Sequence, residues 1–108
     1  MKIFSLKTCD TCREAIKALG ASGADLIVVD VRSQGVSRSD LVRFHTEFGD
    51  ALINRQSTTW RGLSQNERAR DPVELLADHP TLMKRPVIEA NGQLYLGWKA
   101  DVQNALLG

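Results

Sequence analysis

No stretch of this chain approaches the ~20 consecutive apolar residues of a membrane-spanning helix, so no helical membrane anchor is expected. The opening run MKIFSLK lacks the apolar core of a secretory signal, which predicts a cytoplasmic protein whose thiols stay reduced. An excess of either charge is missing too. Fourteen Lys and Arg against 13 Asp and Glu leave a formal net charge of +1, giving no long-range pull on nucleic acid or an anionic membrane surface. Histidine is scarce: His45 and His79 lie alone in different segments. Cysteine is limited to Cys9 and Cys12. Zinc would need a second ligand pair that these residues do not supply, so no metal site is expected. Repeats, low-complexity tracts and linkers are absent, and nothing signals an oligomer, so residues 1–108 are read as one monomeric domain.

What is present is the composition of a globular chain, 43% hydrophobic and 25% charged, long enough to bury a modest core without staples. KIFSL (2–6) is a short β-type run. Ala15, Ile16, Ala18 and Leu19 give one apolar helical face from about Thr11, with Gly20 as its stop. ADLIVVDV (24–31) follows, a continuous apolar and β-branched run that predicts a strand buried on both faces. Strand, helix and strand at this spacing make a βαβ unit with a parallel pair.

The middle reads as helical. Ser37 and Asp40 resemble a capping box ahead of Leu41, Phe44 and Phe48, with Gly49 as the stop. Residues 50–63 show no clear period. Asp71-Pro72-Val73-Glu74 is a strong helix start whose helix ends at His79-Pro80. Two β-type runs then flank Asn91-Gly92, the signal of a hairpin with a type I′ turn. KADVQNALLG closes the chain as a helix with Val102, Ala105 and Leu106 turned inward. The predicted fold is therefore α/β and thioredoxin-like (glutaredoxin-like): a βαβ half and a ββα half, with a helical insertion at about 37–83 between the second and third strands.

Cys9 and Cys12 fall at the first strand-to-helix turn. A redox pair, half a metal site and inert packing are the three readings, and this placement favours the first. A cysteine at a helix N-terminus faces unpaired N–H groups and the positive end of the dipole, which favours thiolate. Cys9 is thus the expected nucleophile and Cys12, one turn further in, the resolving thiol. Arg13 could add positive field by folding back, and Asp10 opposes it. Arg85-Pro86 enters the third strand beside the cysteine turn, where a cis peptide is expected. That would set a backbone docking edge near Cys9 and make Arg85 an anion ligand.

The C-x-x-C-R turn, TTWR (58–61), KRP (84–86) and LGW (96–98) together resemble the ArsC-like family. That family takes in glutaredoxin-dependent arsenate reductases, the regulator Spx and the YffB-type proteins, and the chain looks most like the YffB type. The resemblance implies a thioredoxin-like fold with a helical insertion, and puts the nucleophile at Cys9. It also places Arg13 in the first helical turn and an oxyanion-binding Arg85 before the cis Pro86. Arg55 is the nearest counterpart of the reductases' arginine in the insertion, and Gly97 stands where they carry a third arginine. Three functions follow. The first is a thiol–disulfide oxidoreductase with no bound cofactor, taking glutathione as co-substrate and a thiol or disulfide protein as partner. The second is an Spx-like redox-switched regulator of RNA polymerase. Arsenate reduction is the third.

Overall fold

The computed structural model describes residues Met1 to Gly108. In chain order the elements are β1 (Lys2–Ser5), α1 (Asp10–Ala21), β2 (Ile27–Asp30), α2 (Arg38–Phe48), α3 (Thr58–Arg61) and α4 (Gln65–Arg68). They continue as α5 (Pro72–Asp78), β3 (Val87–Ala90), β4 (Gln93–Leu96) and α6 (Ala100–Leu107), with 3-10 turns at Gly49–Leu52 and Pro80–Leu82. The chain forms two compact units: Met1–Val31 joined by Arg85–Gly108, and Arg32–Lys84.

The first unit carries the sheet, in the order β2-β1-β3-β4. β1 runs parallel to β2, with Ile3 opposite Val28, and antiparallel to β3, with Ile3 opposite Ile88. β3 and β4 form the hairpin, and Asn91 and Gly92 take φ of 53° and 76°. Left-handed backbone at both turn positions is what a two-residue I′ turn demands, and Asn-Gly tolerates it at little cost. The result is the α/β, thioredoxin-like arrangement that the segment order predicted. Its core joins Ile3 and Ile88 of the sheet to Ala15 and Leu19 of α1 and to Trp98 and Val102. α1 presents Cys12, Ala15 and Leu19 on one buried face, the spacing that a 3.6-residue period places on one side. It passes Gly20 and ends at Ala21, with Gly23 in the left-handed region (φ 88°), so the stop comes from the later glycine.

Two further expectations about this unit are corrected. β2 is not buried on both faces: Ile27 and Val28 are 63% and 46% exposed. A βαβ crossover puts the parallel partner next to β1, and here nothing pairs beyond it, so the apolar run lies at the sheet edge. On α6, Val102 is buried and Leu106 half-buried, while Ala105 is exposed. Three residues before Gly108 the helix has already turned that position to solvent.

In the second unit the Ser37 hydroxyl accepts the Asp40 N–H at 3.2 Å and caps α2. Asp71 caps α5 in the same manner, with Pro72 in its first turn. Leu41 and Phe44 of α2, Val73, Leu75 and Leu76 of α5, and Leu52, Ile53, Leu82 and Met83 are buried. An Ile53–Met83 bridge, with Asn54 N–H on the Leu82 carbonyl at 2.8 Å and Lys84 N–H on the Leu52 carbonyl at 2.7 Å, closes this unit. The stretch without a clear period contains α3, and α4 follows it. Each is a four-residue helix begun by a serine cap, Ser57 on Trp60 N–H and Ser64 on Glu67 N–H. Ser64-Gln65-Asn66-Glu67 has the capping-box spacing, so that signal was available without any apolar period.

Candidate active site

The cysteine turn is built from the end of β1. Ser5 is buried and its hydroxyl donates to the Val29 carbonyl at 3.3 Å. The chain then turns within four residues, closed by the Cys9 N–H on the Leu6 carbonyl at 2.9 Å. The Lys7 N–H donates to Asp30 Oδ2 at 3.2 Å, which ties the turn to the C-terminal end of β2. Asp30 was not singled out by any motif. A carboxylate at the end of a predicted parallel strand was the available signal, because such strand ends border the site in open α/β sheets.

Cys9 occupies the N-cap position of the 12-residue helix α1, with extended backbone (φ −88°, ψ 115°). Its side chain makes no regular capping bond, yet the Cys12 N–H lies near enough to favour the thiolate. Cys9 is partly accessible and Cys12 fully buried, and both are free thiols. Burial pushes the Cys9 pKa up. The N–H and thiol of Cys12 and the guanidinium of Arg85 outweigh it, and the value lies below the ordinary 9.0. Cys12 goes the other way. Burial is the main cause, a backbone bond at Leu6 opposes it, the neighbouring Cys9 sulfur adds to it, and the pKa is pushed up to about 12. One proton is thus held between two sulfurs, on the buried one, and leaves an activated nucleophile at the surface.

Arg85 reaches this turn from the segment before β3. The Arg85–Pro86 peptide is cis, as expected. Pro86 is buried, and its carbonyl accepts the Gly97 N–H at 2.8 Å. Gly97 has φ 85°, a conformation that disfavours any side chain there. Cys9, Cys12, Arg85 and Pro86 are therefore brought together in the first unit.

Arg13 and Arg55 have other partners. Arg13 forms an ion pair with Asp10 on the outer surface of α1. Arg55 belongs to the second unit, where it donates to the Asp50 carbonyl at 3.4 Å. Its guanidinium lies 5.4 Å from the centre of the Trp60 ring, and that of Arg68 lies 5.3 Å from the same ring. Arg68 also donates to the carbonyls of Trp60 and Arg61, both at 3.2 Å. Trp60 is thus a half-buried platform for two arginines, whereas Trp98 belongs to the core of the first unit. His79 stands 3.6 Å from Glu67, in a cluster where Arg70 bonds Glu67 at 2.9 Å and Asp78 at 2.5 Å. No helix is long and apolar enough to cross a membrane.

The model of the ArsC family matches residues 4–106. An uncharacterized protein of Haemophilus influenzae is 34% identical over an alignment of 101 positions that covers 89% of each chain. The solved structure of the protein YFFB (PA3664) superposes with a TM-score of 0.91 at 30% identity, covering 99% of this chain and 98% of that one. The global transcriptional regulator Spx of Bacillus subtilis is 23% identical over an alignment of 105 positions that covers 92% of this chain and 80% of Spx.

Proposed function

The chain belongs to the ArsC family, and from that premise we propose that it is a thiol–disulfide oxidoreductase served by glutathione. Cys9 is the nucleophile. Its thiolate attacks one sulfur of a substrate disulfide, forms a mixed disulfide, and expels the other half as a thiolate that takes up a proton. Cys12 then attacks the Cys9 sulfur, gives its proton to the departing thiolate, and leaves a Cys9–Cys12 disulfide. Two molecules of glutathione reduce that bond, emerge as glutathione disulfide, and restore both thiols. The substrate sulfur is carried by a protein disulfide or a glutathionylated protein, and Arg85 holds an anionic group of the incoming thiol.

The observation that supports this reading is the division of labour between the sulfurs. The accessible one, at a helix N-terminus and beside Arg85, is the better thiolate, and the buried one keeps the proton. Exchange needs this pairing, because attack requires a thiolate and release requires a proton donor. Arg13 stands as a further anion ligand in this reading, drawn toward the substrate as it docks. Arsenate is disfavoured as the natural substrate. Gly97 supplies no cation where a dianion held against a thiolate would call for one.

The test is a glutathione-coupled disulfide reduction assay. Cys9→Ser abolishes turnover and Cys12→Ser retains glutathione-dependent activity. Wild-type rates in Cys9→Ser would sink the proposal. The likeness to Spx supports a second reading, a redox-switched regulator that binds RNA polymerase. It requires polymerase subunits to be enriched on one oxidation state of the chain and not on the other.

A further inference from the structure

Arg13 stands one helical turn beyond Cys9, and its N–H donates to the Cys9 carbonyl at 3.1 Å. Side chains of an α-helix lean toward its N-terminus. The Arg13 guanidinium therefore overhangs the start of α1, where Cys9 is the N-cap and Asp10 the first helical residue. Two anions have a claim on it: the Asp10 carboxylate, and whatever negative charge gathers at Cys9. Asp10 holds it in this structure through an ion pair from the guanidinium Nη2 to Oδ1. Both side chains are mostly in water, 63% and 86% exposed. Such a pair is weak because water screens it, so it opens readily. Arg85, which comes from another part of the chain, is the cation that acts on the sulfur itself. Arg13 is then a second cation held in reserve at the rim.

We propose that Asp10 is a positioning residue that keeps Arg13 off Cys9 until an anionic thiol substrate arrives, whereupon Arg13 exchanges Asp10 for the substrate's negative group. Asp10 thereby lowers the resting affinity of the site for small anions and restricts the benefit of Arg13 to substrates whose charge lies beside the reacting sulfur. The inference rests on Cys9 being the nucleophile of the proposed reaction. Its test needs only that Cys9 be alkylated.

The probes are iodoacetate, an anion, and iodoacetamide, its neutral analogue. Each transfers its carbon to the Cys9 sulfur and releases iodide. The ratio of their rates cancels the fraction of thiolate and reports the local charge. Asp10→Asn should raise the iodoacetate-to-iodoacetamide ratio about fourfold, the effect of one unit charge at ~5 Å in water. Arg13→Gln alone should lower the ratio by less than that, because the clasp already withholds the cation and the carboxylate it bares stands 86% in solvent. In the Asp10→Asn background, Arg13→Gln should remove most of the gain, and Asp10→Glu should keep the wild-type ratio. The proposal is overturned if Arg13→Gln changes the ratio equally in both backgrounds. It is also overturned if the gain survives in the double variant, since loss of the Asp10 charge alone would then explain it. Failure of the disulfide assay with these ratios intact would overturn the proposed reaction and leave the clasp standing.

Discussion

Replacing Arg85 with Gln probes the link between the two segments that meet at the cysteine turn. Gln keeps a polar side chain of similar reach and removes the charge. Arg85 acts on Cys9 both through space and through a side-chain hydrogen bond. Hydrogen bonds to charged groups contribute about 1.5–3 kcal/mol. Water reaches the Cys9 sulfur, which screens the interaction toward the lower end. The Cys9 pKa should therefore rise in Arg85→Gln, and its alkylation rate near neutral pH should fall about tenfold, the equivalent of about 1.4 kcal/mol. The measurement is the rate of Cys9 alkylation by iodoacetamide against pH, read by peptide mass. Cys12 does not interfere, because it is fully buried and its thiol stays protonated. Arg85→Lys should recover part of the shift, since a compact ammonium restores the charge without the planar fork. An alkylation curve in Arg85→Gln that overlays wild type would refute the assignment of Arg85 to the thiolate.

Two further outcomes follow from the same structure. Cys12 is ordinary in the unfolded chain and pushed up to about 12 in the folded one. The folded state therefore holds a proton that the unfolded state has released, and stability should fall as pH rises from about 9 toward 12, by up to about 1.4 kcal/mol per pH unit. Urea unfolding across that window should show the loss in wild type and a shallower one in Cys12→Ala; equal slopes would refute it. Asp71→Ala removes the carboxylate that accepts the Glu74 N–H at 3.3 Å and should cost about 1 kcal/mol, read as a lower urea midpoint with an unchanged slope.

Much of this protein is written in short-range pattern. The Asn91-Gly92 turn, the Asp71-Pro72 helix start, the Ser37 cap and the apolar face of α1 each depend on residues within a few positions of one another. Local sterics and hydrogen bonding decide them, and the chain carries that information directly. The position of Cys9 at a strand-to-helix turn belongs to the same class, as does the promise of a lowered pKa. α3 and α4 show no apolar period because four residues are too few to display one. Their serine caps were the legible part.

Tertiary structure decided the rest. Whether β2 lies inside the sheet or at its edge depends on what pairs beyond it, and an apolar run looks the same in either place until the strand order is known. Which arginine acts on the thiolate was equally out of reach. Arg13 and Arg85 are both plausible from the chain alone, and Arg13 is by far the nearer in sequence. The fold brings Arg85 to Cys9 from 76 residues away, while the adjacent Asp10 claims Arg13. Charge interactions depend on distance in space and on which opposite charge is reached first, and separation along the chain sets neither.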